Sequence, residues 1–395
     1  MLGRLATGVY PARPHTLLEG PPGSPRTLLW EECITRDGFD GPYTIAYRAG
    51  RPHEARSVAA RVTFPTPRVE AADDDALALR RRHYRSGAVE SDGAPLAARR
   101  PLLWNQDVTL SVLRPSESDS VYFANGDADD LYFVQEGAGT LRSVLGDVSF
   151  RAGDYVCVPR GLTHRFMLAP GAPQLWFSME FSGAVDVLAQ YRNAQGQLKM
   201  DAPYGHRDFR GPVFLGPLDE RIRHVVVRRR GRFHGFDWEH SPLDVVGWDG
   251  ALYPWAFSIF DFRAKVGRVH LPPNVHGTFS ARGALVCSFV PRPLDYDESA
   301  FACPYPHSSV DVDEVLFYSR GNFTSRRGVG PCSISHHPAG ITHGPHPGAY
   351  EASLGAQRTD EVAVMLDCAR PLDRTSFARA VEDAGYHDSF VESRE

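Results

Sequence analysis

Short apolar and aromatic runs, separated by turn-forming residues, fill the chain after Leu102. One set consists of LYFVQEG (131–137), TLRSVL (140–145), DVSF (147–150), DYVCVP (154–159) and QLWFSMEF (174–181). A second set consists of AFSIFDF (256–262), ALVCSFV (284–290), EVLFYSRG (314–321), SISHH (333–337) and EVAVMLDC (361–368). Runs of this kind, rich in β-branched and aromatic residues and bounded by turn residues, are typical of strands. Several strands at this spacing favour a β-sandwich or barrel.

The pattern therefore predicts an all-β-dominated fold with a few short helices. Gly146-Asp147 lies between two of the runs and indicates a tight hairpin turn. Helical patterning is found mainly near the end, where Thr375-Ser376 precedes FARAVEDAG. The similar order of the two sets indicates a weak internal duplication, which predicts two related β-domains.

Composition narrows the classes of function. The chain has 395 residues and a formal net charge of −5, so its charge does not favour nucleic acid as a partner. No apolar run reaches the roughly 18 residues of a membrane span, and the N-terminal segment lacks the apolar core of a signal peptide, which favours the cytoplasm. The 6 cysteines form no CxxC pair, which excludes zinc-finger spacing.

One motif occurs twice. Residues 153–164, GDYVCVPRGLTH, fit G-x5-P-x-G-x2-H, and residues 338–343, PAGITH, repeat its second half. The pattern resembles the second signature motif of the cupin superfamily, whose fold is a jelly-roll β-sandwich or barrel. The first signature motif is H-x-H, three or four residues, Glu, six residues and Gly. It is matched by His307, Glu314 and Gly321, with Ser309 in place of the second histidine.

The two copies differ in their candidate ligands. The stretch Asn125–Gly137 of the first copy keeps Asp130 but has no histidine ahead of it, so His164 is predicted to be a hydrogen-bonded core histidine. We predict a double cupin in which residues 1–250 contain a degenerate, metal-free cupin with its core at about residues 102–182. Residues 251–395 are predicted to form the catalytic cupin.

His307, Glu314 and His343 form a candidate metal site. Two neutral imidazoles and one carboxylate hold Fe(II) on one face and leave positions open for substrate and O2. Donor atoms about 2 Å from a metal lie within roughly 4 Å of one another, whereas seven residues of straight strand span about 23 Å. The sequence therefore predicts a bend between His307 and Glu314. Pro338-x-Gly340 predicts a turn that brings His343 back toward them.

The resemblance extends beyond the superfamily. SPLDVVGWDGALYPWAFSIFDF (241–262), EVLFYSRGNF (314–323) and HHPAGITHGP (336–345) are similar to the homogentisate 1,2-dioxygenase family. The resemblance runs from about Leu102 to Cys368 and implies two cupin-like regions with a non-haem Fe(II) in the C-terminal one. It further implies a ring-cleaving dioxygenase that adds both atoms of O2 to homogentisate, giving maleylacetoacetate, and a trimer-based homo-oligomer.

The resemblance also assigns roles to residues. The iron ligands of the family fall on His307, Glu314 and His343. Its acid/base histidine falls on His270, in VHLPPNVHGTF, and a second substrate-contacting histidine falls on His337.

The chain departs from the family at three places in this region. The spacing from His307 to Glu314 is one residue longer, and Tyr305-Pro306 stands where the family has a pair of tyrosines. Phe323 occupies the place of a tyrosine whose hydroxyl helps to hold substrate or oxygen. A site without a hydrogen-bond partner can reject the substrate that needs it by several orders of magnitude. With Tyr305 and Phe323 as substrate contacts, the predicted substrate is homogentisate or a related dihydroxylated aromatic acid or hydroquinone, in a catabolic or a biosynthetic pathway.

Two other functions use the same residues. Two histidines and a glutamate also suit a catalytic zinc with an activated water, which would make a hydrolase or isomerase. A non-catalytic cupin that binds a small ligand is the third interpretation. The basic run Arg228–Arg232 is interpreted as a solvated surface rather than an anion site.

Overall fold

The computed structural model describes residues 2–67, 78–294, 297, 299–300, 303–323, 326 and 328–391. Within this part of the chain, strands dominate, and the two α-helices are short: α1 (Ala349–Ser353) and α2 (Ser376–Ala380). The side chain of Thr375 caps α2 by accepting a hydrogen bond from the N–H of Ala378. The predicted all-β-dominated fold with a few short helices is confirmed.

The strands of the first half of the chain are short and closely spaced. In order they are β1 (Leu5–Gly8), β2 (Trp30–Thr35), β3 (Tyr43–Arg48), β4 (Ala55–Val58), β5 (Arg82–Tyr84), β6 (Arg100–Trp104), β7 (Val108–Leu113), β8 (Tyr122–Asn125), β9 (Asp129–Glu136), β10 (Ala138–Ser143), β11 (Gly146–Arg151), β12 (Asp154–Val158), β13 (His164–Leu168), β14 (Leu175–Phe181) and β15 (Asp186–Val187).

The second half continues in the same way. Its strands are β16 (Phe209–Arg210), β17 (His224–Arg229), β18 (Arg232–Trp238), β19 (Val245–Gly250), β20 (Trp255–Ser258), β21 (Gly277–Ala281), β22 (Ala284–Phe289), β23 (Arg292–Pro293), β24 (Asp313–Arg320), β25 (Ser333–His337), β26 (Arg358–Thr359), β27 (Val362–Cys368) and β28 (Asp373–Arg374). Each apolar run singled out in the sequence overlaps one of these strands.

Three sheets carry most of the fold. The N-terminal sheet has the order β11-β10-β13-β8-β17-β18-β4, the central sheet β16-β20-β12-β9-β14-β7-β6-β28, and the C-terminal sheet β15-β21-β22-β27-β24-β25-β5. A smaller sheet has the order β1-β19-β3-β2, and β23 pairs with β26. The strands of the central sheet pair antiparallel throughout.

The central sheet is buried on both faces. Tyr132 on β9 packs edge-on against Phe166 of the N-terminal sheet, with ring centroids 5.1 Å apart. Phe177 on β14 stacks on Phe317 of the C-terminal sheet at 4.8 Å. Burial on both faces explains why β9 and β14 are nearly continuous apolar runs instead of alternating ones.

The C-terminal sheet has one core face and one cavity face. On β24, Val315 and Phe317 enter the core cluster shared with the central sheet. The alternate residues Glu314, Leu316 and Tyr318 line a cavity on the opposite face, as the two-residue period of a strand requires. This alternation places Glu314 in the cavity wall.

Strands cross the predicted domain boundary between residues 250 and 251. β20 and β28 follow this boundary in sequence but pair within the central sheet. Conversely, β5 and β15 precede it and form the edges of the C-terminal sheet. The boundary stays a prediction, and strands from each side of it join the sheet of the other region.

The predicted hairpin forms, but its turn lies elsewhere. β10 and β11 pair in register from Ala138 with Arg151 to Ser143 with Gly146, so the two loop residues are Val144 and Leu145. Gly146 is the first residue of the returning strand and has a φ of 122°, which favours glycine. Both loop residues are buried, which explains why a pair without turn propensity occupies the loop.

Candidate metal centre

The two predicted histidine ligands lie on chain segments that pair with each other. The N–H of His307 donates to the carbonyl of His343 at 2.8 Å, and the N–H of His343 donates back at 2.9 Å. Gly340 makes the turn before His343 with a φ of 87°, and its N–H donates to the carbonyl of Ser309 at 2.9 Å. Glu314 follows as the second residue of β24. The structure thus has the predicted bend and the predicted return turn.

The donor atoms of these three residues converge. Nε2 of His307 lies 3.6 Å from Oε2 of Glu314, and Nε2 of His343 lies 3.5 Å from Oε1. One ligand atom from each residue lies within 4.8 Å of the other two. Among the described residues, this is the only group of His, Cys, Asp and Glu with the spacing of a metal site. The two separations between histidine and glutamate match ligands that share one cation about 2 Å away.

Backbone contacts fix the orientation of both imidazoles. Nδ1 of His307 lies 3.3 Å from the carbonyl oxygen of Tyr305, and Nδ1 of His343 lies 3.3 Å from that of Ile341. A carbonyl oxygen only accepts hydrogen bonds, so each Nδ1 carries the proton and each Nε2 presents a lone pair. Nε2 of His343 is buried without a hydrogen-bond partner among the described residues. Two lone pairs and a carboxylate that face one another fit a cation.

The charge of Glu314 is favoured by its neighbours. Burial by itself would raise the pKa of this carboxyl, but the hydrogen bond from His337 and the nearby imidazoles of His307 and His343 hold its pKa well below the usual value. Glu314 therefore stays ionised, the form that binds a metal.

His337 lies behind the centre rather than at the predicted substrate contact. It is the cross-strand partner of Glu314, and its Nδ1 lies 2.8 Å from Oε1 of that residue. Its side chain is fully buried and does not line the cavity. Burial lowers the pKa of His337 to about 3, so the ring is neutral. Directly opposed residues on antiparallel strands share a face of the sheet, which is why the histidine meets the carboxylate.

The remaining predicted site residues do line one cavity of about 210 Å³. His270, Tyr305 and Phe323 share its wall with His307 and Glu314. The ring of Tyr305 lies 5.2 Å from His270 and 6.4 Å from His307, which places it between them. An apolar cavity of about 150 Å³ holds a benzene ring, so the space admits a substituted aromatic ring.

The cavity wall contains residues that had no role in the sequence interpretation. Arg292 and Arg326 both line it, and Arg292 is paired with Glu361 at 3.2 Å. His276 also lines it and packs on Phe289 at 4.5 Å. Burial, assisted by Arg292, lowers the pKa of His276 to about 3. The sequence placed His276 on the loop of His270 but offered no signal for either arginine.

The first copy of the motif has a different set of neighbours. His164, the counterpart of His343, is buried, and its Nδ1 lies 2.8 Å from the carbonyl oxygen of Leu162. This contact agrees with the predicted hydrogen-bonded core histidine. The carboxylates of this copy face Arg99, which lies 2.9 Å from Glu180 and 3.5 Å from Asp130.

Arg228, which the sequence interpretation assigned to the solvated surface, belongs to this buried cluster as well. This residue is 7% exposed, and its guanidinium forms an ion pair with Glu180. The surface interpretation of the basic run is therefore wrong for this residue. Arg229 is exposed because successive side chains of a strand point to opposite faces, and its cross-strand partner Arg232 on β18 is exposed on the same face.

No helix in the described part of the chain is long and apolar enough to cross a membrane.

Comparison with known proteins relates the chain to dioxygenases. A family described as Homogentisate 1,2-dioxygenase N-terminal matches residues 106–259. A candidate dioxygenase of Saccharolobus solfataricus is 31% identical over 390 residues, which cover 98% of each chain. The homogentisate 1,2-dioxygenase of Rhizobium etli is 27% identical over 278 residues, which cover 66% of this chain and 60% of that protein.

Among solved structures, a cupin 2 conserved barrel domain protein from Leptotrichia buccalis aligns with 73% of this chain and 96% of its own. The sequence identity is 7% and the TM-score is 0.35.

Proposed function

The chain belongs to the homogentisate 1,2-dioxygenase family of cupins, and from this premise we propose that it is a non-haem Fe(II)-dependent ring-cleaving dioxygenase. Its substrate is homogentisate or a related dihydroxylated aromatic acid or hydroquinone, and both atoms of O2 enter the product. Named homogentisate dioxygenases match this chain over only about 60% of their own length. The substrate is therefore part of the proposal.

One observation carries the proposal. His307, Glu314 and His343 bring their donor atoms together, and two of these residues line a cavity that admits an aromatic ring. Two imidazoles and one carboxylate leave part of the coordination sphere open, which is the arrangement of Fe(II) oxygenases. A site that only stored a ring would not need three converging ligands beside it, two of them buried.

The chain supplies binding, orientation and proton transfer. A bound ferrous ion supplies the redox chemistry by which O2 reacts with an electron-rich ring. The ring of Phe323 is 7% exposed and packs against Tyr318 at 4.7 Å, so it forms an apolar side of the cavity. His270 is exposed at the cavity and is positioned to take the proton of a substrate hydroxyl. Tyr305 lies beside it and limits where that hydroxyl can sit.

The charged side chains of the cavity wall also favour an anionic substrate. Lys265, Arg292, Arg326 and Arg358 line the cavity, against the carboxylates Glu314 and Glu361. A carboxylated ring is attracted to such a surplus of positive charge. An acid is therefore preferred to a neutral hydroquinone within the proposed substrate class.

An O2-uptake screen of the iron-reconstituted protein tests the function. Homogentisate, gentisate and substituted hydroquinones are offered in turn, with oxygen consumption and product mass as the measurements. We expect O2 uptake with at least one acid and a product heavier by both oxygen atoms. Zinc-dependent turnover without O2 would instead identify a hydrolase or isomerase. Tight binding of a ring without any turnover would identify a ligand-binding cupin.

His270→Gln tests the proposed base. We expect kcat to fall by about 10²–10⁴-fold, because a positioned acid/base contributes that much, while iron content stays unchanged. The control is His234→Gln, on the exposed side of β18. A kcat for His270→Gln within a few-fold of the wild type would remove His270 from the mechanism.

The trimer-based homo-oligomer, which the family resemblance implies, and the cytoplasmic location, which the N-terminal sequence favours, remain proposals. Measurement of the mass in solution tests the first of them.

A further inference from the structure

We infer that Tyr386, from the C-terminal segment, is a positioning residue that acts through His337 to hold the carboxylate of Glu314 in its metal-binding orientation. The inference rests on the proposed function only in taking Glu314 as a ligand. It adds to the site a residue that lies more than seventy positions after Glu314 and outside all the sheets.

A line of contacts joins the two residues. Nδ1 of His337 lies 2.8 Å from Oε1 of Glu314, and its Nε2 lies 3.4 Å from the hydroxyl oxygen of Tyr386. The ring of Tyr386 is nearly parallel to that of His337, at 16° and 6.4 Å. His337 also stacks on His343 at 4.6 Å and 21°. His337 is thus held by a hydrogen bond at each nitrogen and by the ring of a ligand.

The carboxylate of Glu314 determines the direction of both hydrogen bonds. A carboxylate only accepts hydrogen bonds, so Nδ1 of His337 carries the proton that it donates to Glu314. The neutral ring then presents a lone pair at Nε2, and the hydroxyl of Tyr386 donates to it. The Tyr386 hydroxyl therefore selects the tautomer of His337 that supports Glu314, as outer partners of metal ligands commonly do.

A second buried contact lies beside this line. Oγ of Ser335, two residues before His337 on β25, lies 2.9 Å from the hydroxyl of Tyr318, which lines the cavity.

The segment that carries Tyr386 is anchored on both sides of it. Glu382 accepts from Arg82 at 2.5 Å, and Asp383 accepts from Arg85 at 3.1 Å. Phe390 packs edge-on against Tyr386 at 5.4 Å. Tyr386 itself is 4% exposed. A side chain so constrained can hold its neighbour in one orientation.

Tyr386→Phe removes the hydroxyl and keeps the ring. Nε2 of His337 then has no donor, the second tautomer becomes accessible, and Glu314 loses its fixed partner in part of the population. Loss of an outer partner of a metal ligand costs about 10–100-fold in metal affinity. We expect the Kd for Co(II), used as a spectroscopic probe on the full-length metal-free protein, to rise by about 10-fold or more. The visible d–d spectrum of the bound Co(II) should change as well.

A double-mutant cycle with His337→Asn shows whether the effect passes through His337. The asparagine amide keeps a donor near the position of Nδ1 but has no group that reaches Tyr386. We therefore expect Tyr386→Phe to have no further effect on the Kd in this background. Tyr155→Phe is the matched control, because it deletes a buried tyrosine hydroxyl that bonds Ser288 at 2.9 Å.

The outcomes separate this inference from the proposed function. A wild-type protein that binds neither Co(II) nor Fe(II) would overturn the metal site itself. A wild type that binds Co(II) with a Tyr386→Phe variant of equal Kd and spectrum would overturn the role of Tyr386 alone. An undiminished effect in the His337→Asn background, or an equal effect of Tyr155→Phe, would also contradict action through His337.

Discussion

His343→Ala is expected to lower the affinity for Fe(II) by more than about 100-fold, because loss of even an outer partner of a ligand costs about 10–100-fold. It removes one of the three donors and leaves two that no longer enclose a cation. Ring cleavage should fall below detection at micromolar iron. The measurement is iron content of anaerobically purified protein, with about one Fe(II) per chain expected for the wild type as the stoichiometry of a single triad.

His164→Ala is the matched control for this variant. His164 occupies the same place in the repeated motif, and its ring is also buried with Nδ1 against a carbonyl oxygen. Within the described part of the chain, it belongs to no group of His, Cys, Asp and Glu with the spacing of a metal site. We expect it to reduce stability but to leave the iron content unchanged. Full iron occupancy in His343→Ala would remove the ligand assignment.

Arg99→Met is expected to destabilise the protein by about 3–5 kcal/mol, the usual result of removing one partner from a buried ion pair. The Arg99 side chain is 1% exposed, and it lies against Asp130, Glu180 and the hydroxyl of Tyr132. Without it, two buried carboxylates share Arg228 as their remaining arginine. The measurement is the free energy of unfolding in urea.

The loss should depend on pH. Burial already holds the pKa of Asp130 above its ordinary value, and loss of Arg99 raises it further. A carboxyl whose pKa is higher in the folded state binds more protons there, so its contribution to stability falls as the pH rises above the unfolded value. The deficit of Arg99→Met should therefore be larger at pH 8 than at pH 5.

Arg232→Met, on the exposed side of β18, is the control for this second variant. Substitutions at such positions usually change stability by less than about 0.5 kcal/mol. A loss in Arg99→Met no larger than that of Arg232→Met would contradict the view that a buried guanidinium neutralises the carboxylates of the first copy.

The two copies show how one framework carries two kinds of cation site. Glu314 is the cross-strand partner of Asp367 on β27, and Asp130 is the cross-strand partner of Glu180 on β14. In the second copy the carboxylate faces histidines, whereas in the first copy it faces arginines. A fixed guanidinium supplies the positive charge that a bound metal would supply at the other site.

The sequence by itself determined the strands, the fold class and the residues of the candidate metal site. Strand periodicity is a local property, and the turn at Gly340 is encoded by residues next to it. His307, Glu314 and His343 could be grouped because their motifs resemble the two cupin signatures. The cavity residues His270, Tyr305 and Phe323 were found through the family resemblance, and the structure places them on one wall.

Only the tertiary structure decided which residues support the candidate metal ligands from outside the cavity. Strand register turned His337 toward Glu314, and packing of the C-terminal segment brought in Tyr386. A buried arginine such as Arg99 has the same sequence signature as an exposed one, because burial depends on which distant segments cover it. The exchange of strands between the two regions has the same origin. Such contacts join residues far apart in the chain, and the local pattern of a sequence does not determine which distant residues come into contact.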